Sequence, residues 1–177
     1  MKIKFQYLFS YLLIIMVFPV IVQSQTANKP PDRMKFLAAF NGEWKGEMVI
    51  QKEKKKVKYK MSHTSEKIAG GWGIQLSEVA MIPDKGKYQV ARIFSVSSVN
   101  DTTYMYAVDN FGDTRFYEGV WETNKKLLLK TIETKEGKQL NNTITYTFLS
   151  PKIYEYRSIT HIEGLEDEIV EMKMERQ

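Results

Sequence analysis

The segment FNGEWKGEMVI, residues Phe40–Ile50, marks the point at which the sequence pattern changes. From Trp44 onward, apolar and polar side chains alternate, which is typical of a strand with one face against a core and the other in water. Gly42 and Gly46 flank the tryptophan, and glycine lets neighbouring backbones approach closely. The pattern therefore predicts that a β structure begins here and that the large flat ring of Trp44 seals one end of it.

The residues before this segment have helical spacing. Met34, Leu37 and Phe40 recur three residues apart, as on one face of a helix. Asp32 is a candidate N-cap, and Asn41-Gly42 is a typical stop signal. A helix of two or three turns is therefore predicted immediately before the first strand.

The alternation continues to the end of the chain. Turn-forming segments divide it: KEKKK, IPDKGK, VNDT, DNFGD, ETNKK, KEGK, LSPK and EGLED. These leave about ten strands in hairpin order. Consecutive antiparallel strands accumulate twist, and closing them into a barrel removes their exposed edges. The sequence predicts an all-β, up-and-down antiparallel barrel with an interior cavity. A two-sheet sandwich with a solid core is the alternative.

The first 24 residues have the pattern of a targeting segment. Lys2 and Lys4 precede the apolar run YLFSYLLIIMVFPVIV and the polar QSQTANKPP, which is typical of a secretory signal peptide, cleaved here after Ser24. An uncleaved anchor is the alternative, although the run is shorter than the roughly 20 residues of a spanning helix. We expect residues 25–32 to be a flexible lead-in and residues 33–177 one barrel domain. The protein is then exported, to the periplasm or beyond, without a stable membrane span.

Composition excludes several classes of function. The chain has no cysteine, so disulfides, thiolate metal sites and cysteine nucleophiles are excluded. A net charge of +5 is too mild to indicate a nucleic-acid partner. No phosphate loop, nucleophile elbow or zinc-protease motif is present. His161-x-Glu163 is a weak metal signal, since a site would need His63 and His161 to converge with carboxylates. We expect neither a metal nor a cofactor.

Seven residues are candidates for a ligand cavity: Trp44, Tyr59, His63, Glu78, Arg92, Tyr104 and Tyr146. The tyrosines and the tryptophan combine apolar rings with polar tips, which suits a pocket and equally suits a solid core. His63 lies on an apolar face, where it either contacts a ligand or hydrogen-bonds a neighbour. No catalytic residue is assigned.

Arg92 interrupts the apolar face of YQVARIF. If that face points inward, the guanidinium needs an anion or an acidic partner, and Glu78 on the preceding strand is the candidate. In the alternative arrangement Ala91 and Ile93 point inward and Arg92 lies in solvent. The lysine-rich KEKKKVKYK is expected either to contact an anionic surface or to keep the first hairpin soluble.

NGEWKGEM after a short helix resembles the Gly-x-Trp start of the calycins, the lipocalin-like barrels. AGGWGIQLSEV, TTYMYAVDNFGDTRFYEGVWE and EIVEMKMER resemble segments of a bacterial lipocalin-like family of unknown function. The corresponding positions are Gly70, Gly71, Tyr104, Asp109, Asp113, Gly119 and Arg176. The resemblance spans residues 36–176 and implies a bacterial β-barrel whose activity is open. Haem-binding nitrobindin-like barrels also begin with Gly-x-Trp, but this chain lacks their later glycine spacing and haem-histidine segment.

Three functions follow from these expectations. The first is a non-enzymatic exported barrel that captures a small apolar or amphipathic ligand, its polar head fixed by Arg92 or His63. The second is an envelope interaction domain without a ligand, with a solid interior and an apolar patch outside. The third is a small isomerase or hydrolase that uses His63 or Glu78 as general base. The sequence favours the first and does not identify the ligand.

Overall fold

The computed structural model describes residues 30–52, 55–82, 86–135 and 137–177. The predicted signal peptide and most of the predicted lead-in lie outside these residues. Within the described ranges, no helix is long and apolar enough to cross a membrane.

A short helical segment, ten strands and a 3-10 turn at Ala69–Gly71 make up the regular structure of the described residues. Helix α1, Met34–Leu37, continues into a 3-10 turn at Ala38–Phe40. The strands are β1 (Gly42–Lys52), β2 (Lys55–Ile68), β3 (Gly73–Ile82), β4 (Gly86–Val96), β5 (Thr103–Asp109), β6 (Thr114–Thr123), β7 (Lys126–Lys135), β8 (Lys138–Ser150), β9 (Ile153–Ile162) and β10 (Glu168–Arg176). The helix was predicted in the right place, but its N-cap residue is Arg33, without a side-chain cap. The prediction of Asp32 as the cap was therefore wrong.

The ten strands form one closed barrel in sequence order. Each strand is antiparallel to the next, and β1 closes the ring by pairing with β10, with Trp44 opposite Arg176. This confirms the predicted up-and-down barrel and rules out the two-sheet sandwich. Closure leaves no free strand edge, so backbone hydrogen bonds run around the whole circumference.

The helical segment plugs one end of the barrel, here called the closed end. Leu37 and Phe40 are fully buried, and the 3-10 turn contacts β3. The ring of Phe40 meets four aromatic rings of the interior with centroids 4.9–5.6 Å away: Phe94, Tyr146, Phe148 and Tyr154. Aromatic packing of this density makes the closed end solid.

Trp44 joins the helical plug to the first and last strands of the barrel. Its indole Nε1 donates a hydrogen bond to the carbonyl of Phe40, 2.9 Å away, and the guanidinium of Arg176 lies 4.7 Å from its ring centroid. Arg176 also donates to the carbonyl of Ala39. First strand, last strand and helical segment therefore meet at one fully buried tryptophan.

Glycine is needed at the two positions of the opening segment for different physical reasons. Gly42 has φ +110°, a conformation that lets the chain leave the helical turn and enter β1. A Cβ atom at Gly46 would lie 2.0 Å from the carbonyl oxygen of Lys173. Only glycine therefore allows β1 to approach β10 this closely at the seam of the barrel.

Candidate ligand cavity

The end of the barrel opposite α1 holds a cavity of about 380 Å³. This volume is in the range of small-molecule pockets. The apolar part of its wall includes Met48, Ala80, Val90, Tyr117, Val170 and Met172. The barrel is thus solid at the closed end and hollow at the other, like a cup.

Glu78 and Arg92 lie in the wall of the cup and form an ion pair. In the register of β3 and β4, Glu78 is opposite Val90 and Leu76 is opposite Arg92, so the two charged residues are diagonal neighbours on the inward face. Oε2 of Glu78 lies 3.0 Å from Nη2 of Arg92, and both residues are buried. Of the two arrangements that the sequence left open, the structure has the one in which Arg92 points inward and pairs with Glu78. The alternative was wrong, because Ile93 is 42% exposed.

Two tyrosines complete the surroundings of the guanidinium. Nη1 of Arg92 donates to the hydroxyl of Tyr146, 3.3 Å away, and the ring of Tyr156 lies 5.4 Å from the guanidinium carbon. Burial, the largest effect, lowers the pKa of Arg92, but Glu78 and then Tyr146 raise it, so that the pKa lies well above its ordinary value. The guanidinium is therefore a permanent positive charge held within the barrel.

The pair is incompletely hydrogen-bonded. Among the described residues, no group is hydrogen-bonded to Nε of Arg92 or to Oε1 of Glu78, although both atoms are buried. Buried donors and acceptors are nearly always paired, because an unmet one costs free energy of desolvation. The ion pair thus retains one free donor and one free acceptor.

The phenols around the cavity stay neutral. Burial raises the pKa of Tyr88 and that of Tyr117, and it raises the pKa of Tyr146 well above its ordinary value. At neutral pH each hydroxyl can therefore both donate and accept a hydrogen bond. The charges in the cup therefore come only from its acidic and basic side chains.

The turn between β5 and β6 forms part of the mouth. Oδ1 of Asp109 accepts hydrogen bonds from the backbone N–H groups of Phe111 and Asp113, at 2.9 and 3.0 Å. Asn110 fixes the turn to β4 through the carbonyl of Lys87, 2.9 Å from its Nδ2. Phe111 then stacks on Tyr88, with centroids 5.6 Å apart. Sequence reasoning recognised DNFGD as a turn but did not place it at a cavity.

His63 and Trp44 lie deeper, towards the closed end, and neither is part of the cavity wall. Nε2 of His63 is hydrogen-bonded to the hydroxyl of Tyr154 at 2.8 Å, and its ring stacks on Trp44. Burial and then the charge of Arg92 lower the pKa of His63 from 6.5 to about 3. The expectation that these two side chains line the cavity is therefore corrected. They pack beneath it.

The remaining predicted positions are distributed differently. Tyr146 supports Arg92 from below the cavity, and Tyr59 packs against the core without contributing to the wall. Tyr104 was placed wrongly: its neighbours Thr103 and Met105 are fully buried, and Tyr104 stacks on the exposed Phe116 outside the barrel.

The two histidines do not meet. His161 is exposed and hydrogen-bonded to Asp167, 2.8 Å away, whereas His63 is inside the barrel. Within the described residues, no three histidine or carboxylate side chains are placed to hold a metal ion.

The low pKa of His63 predicts acid sensitivity. The unfolded chain binds a proton at this residue near pH 6.5, while the folded protein resists it down to about pH 3. The contribution of His63 to the free energy of unfolding is thus fully present above pH 6.5. It decreases by about 1.4 kcal/mol for each pH unit as the pH falls from 6.5 towards 3. We expect urea unfolding of His63→Gln between pH 6 and 4 to show a shallower loss than the wild type. His161→Gln controls for removing a histidine, and equal slopes for wild type and His63→Gln would contradict the prediction.

The barrel is similar to solved structures of low sequence identity. The crystal structure of Rv2717c from M. tuberculosis has a TM-score of 0.62 and 12% identity, and the alignment covers 84% of this chain and 99% of that one. The S-type phycobiliprotein lyase CPES from Guillardia theta has a TM-score of 0.62 and 8% identity, with 81% and 91% covered. No protein-family model matches the sequence, and no curated protein matches it. The chain therefore shares the fold of these barrels.

Proposed function

We propose that the protein is an exported, non-enzymatic barrel that binds a small amphipathic molecule in its cup. The observation that carries the proposal is the cavity itself, whose wall combines apolar side chains with the buried Glu78–Arg92 pair and with four further charged side chains. Apolar surface beside convergent polar groups is the general character of small-molecule sites. The apolar part of the ligand would lie against Met48, Val90 and Met172.

The expected affinity is moderate. Burying roughly 300 Å² of ligand and wall surface contributes about 7 kcal/mol at 25 cal/mol per Å². The loss of translational and rotational freedom on association offsets part of this. We therefore expect dissociation constants of about 10–100 µM for simple ligands.

The geometry supports catalysis less well. A general base needs a group at the cavity wall that can exchange protons with a ligand. Neither base named from the sequence meets this need: His63 is outside the wall, and Glu78 is paired with the guanidinium of Arg92, which stays protonated.

An interaction role has one supporting observation, a row of exposed apolar side chains across β4, β5 and β6, formed by Ile93, Tyr106 and Phe116.

Binding is tested with the neutral fluorophore N-phenyl-1-naphthylamine. We expect saturable fluorescence enhancement by the protein expressed without residues 1–24. Val90→Trp, which fills the cavity, is expected to weaken binding at least about tenfold. Ile93→Trp places the same ring on the outer face of the same strand and is the matched control. Absence of saturable binding, or equal binding by the two variants, would overturn the cavity proposal and leave the interaction role.

Export is tested separately. When the full chain is expressed in a bacterium, we expect the protein to leave the cytoplasm and the mature N-terminus to be Gln25. Cytoplasmic protein that still begins with Met1 would contradict export. That result would leave the ligand-binding proposal unaffected.

A further inference from the structure

The outer face of strands β4 to β7 carries four exposed apolar side chains, here called the apolar row. Ile93 is opposite Tyr106, and Tyr106 is opposite Phe116, on three neighbouring strands. Ile132 follows on the outward face of β7 and is 70% exposed, and the other three are 42–54% exposed. Single exposed apolar residues are normal on a protein surface. A row across four strands is a continuous patch.

The surroundings of the row are uncharged on β4 and β5. The outward neighbours there are Ala91, Ser95 and Tyr104. Charges begin only at the border on β6 and β7, where Glu118 is opposite Lys130. The outward positions of β1 and β2 are mostly charged by comparison: Lys45, Glu47, Lys56, Lys58 and Lys60. An aromatic, charge-depleted centre with a polar rim is the composition of a protein interface.

The size of the patch fits an interface between two copies of the chain. From the exposed fractions of the four side chains and of Val120 beside them, the patch presents roughly 500 Å² of apolar surface, within the range of the largest patches on monomers. Two copies that covered each other's patch would bury about 1,000 Å², and the uncharged neighbours would add to this area. Specific protein interfaces begin at this size.

The order of the side chains makes the row self-complementary. From β4 to β7 it reads isoleucine, tyrosine, phenylalanine, isoleucine. A two-fold axis through its middle places Tyr106 against Phe116 of a second copy and Ile93 against its Ile132, aromatic on aromatic and aliphatic on aliphatic. A symmetric dimer requires such a patch, because both copies use the same surface. Phe116 also stacks on Tyr104, with centroids 5.6 Å apart, so its ring is already held in position before association.

From the composition, size and symmetry of the apolar row, we propose that the protein forms a two-fold symmetric dimer through the outer face of β4 to β7. The inference does not rest on the proposed function. The four side chains of the row lie outside the barrel and are not part of the cavity wall. Ligand and second copy therefore use different surfaces, and fluorophore binding does not report on the dimer.

Sedimentation velocity tests the association of residues 25–177, which include every described element of the fold. We expect a dimer at about 100 µM protein that dissociates towards the monomer on dilution to about 1 µM. A monomer over the whole range would overturn the inference, because the row would then be covered by a different partner or by none.

Two lysine variants locate the interface. Phe116→Lys places a charge at the centre of the row and is expected to weaken the dimer at least about tenfold. Met81→Lys is the matched control, since it replaces an apolar side chain that is 63% exposed on β3, away from the row, and we expect it to dimerise like the wild type. If Phe116→Lys does not fold, Ile132→Lys replaces it. A folded row variant that dimerises as tightly as the control would overturn the assignment to this face.

Discussion

Replacing Glu78 with alanine is expected to lower the free energy of unfolding by about 3–5 kcal/mol. The reason is the partner that remains. Arg92 is only 8% exposed, and Glu78 is the carboxylate that lies against its guanidinium, 3.0 Å away, and compensates the loss of hydration. Urea denaturation at pH 7.5, followed by tryptophan fluorescence, measures the difference.

Two further variants show whether charge or packing is responsible. Glu118→Ala removes an exposed carboxylate and is expected to change the free energy of unfolding by less than about 0.5 kcal/mol. The double variant Glu78→Leu, Arg92→Met replaces the ion pair by apolar side chains and is expected to regain most of the loss, or to exceed the wild type. A double variant as unstable as Glu78→Ala would attribute the loss to packing and contradict the argument.

The double variant also separates the effect of the ion pair on stability from its effect on ligand binding. It keeps the cavity while removing both polar groups, so N-phenyl-1-naphthylamine should still bind.

The fold was predictable because alternation is a local property. A residue's neighbours two positions away share its face, so the sequence shows which side of a strand is apolar without any knowledge of the partners. For β8 the predicted inward residues Leu140, Ile144, Tyr146 and Phe148 are all buried. Closure followed from the number of consecutive hairpins, since β1 must then meet β10.

Depth along the barrel was not predictable in the same way. Alternation separates inside from outside, but it carries no information on the level at which a side chain lies along the barrel axis. That level depends on strand tilt and register. His63 and Glu78 are directly opposite in the register of β2 and β3, yet Glu78 is in the cavity wall and His63 packs under it.

Tyr104 shows a second limit. In TYMYAVD the large aromatic residues alternate with Thr103, Met105 and Ala107, so aromatic content suggested that the tyrosines point inward. The structure places the threonine and methionine in the core and Tyr104 on the outer face. A face with small and medium side chains points inward here, and the neighbours of Met105 on β4 and β6, Phe94 and Tyr117, supply aromatic rings to this part of the core.

Replacing Trp44 with alanine is expected to cost about 3–5 kcal/mol of unfolding free energy. The substitution leaves a void beside Tyr154 and removes the hydrogen bond from the indole to the carbonyl of Phe40. It also removes the ring on which the guanidinium of Arg176 stacks. The helical plug, the first strand and the last strand thus lose their common contact, and thermal and urea unfolding should both register the loss.

Trp72→Ala and Trp44→Phe are the matched variants. Trp72 is only partly buried, so its loss is expected to cost about 1 kcal/mol. Trp44→Phe keeps an aromatic ring and loses the indole donor, for an expected cost of about 1–2 kcal/mol. Because Trp44 lies outside the cavity wall, folded Trp44→Phe should bind N-phenyl-1-naphthylamine as the wild type does. A cost for Trp44→Ala no larger than that for Trp72→Ala would show that the tryptophan does not hold the closed end together, and weakened fluorophore binding by Trp44→Phe would place it in the binding site instead.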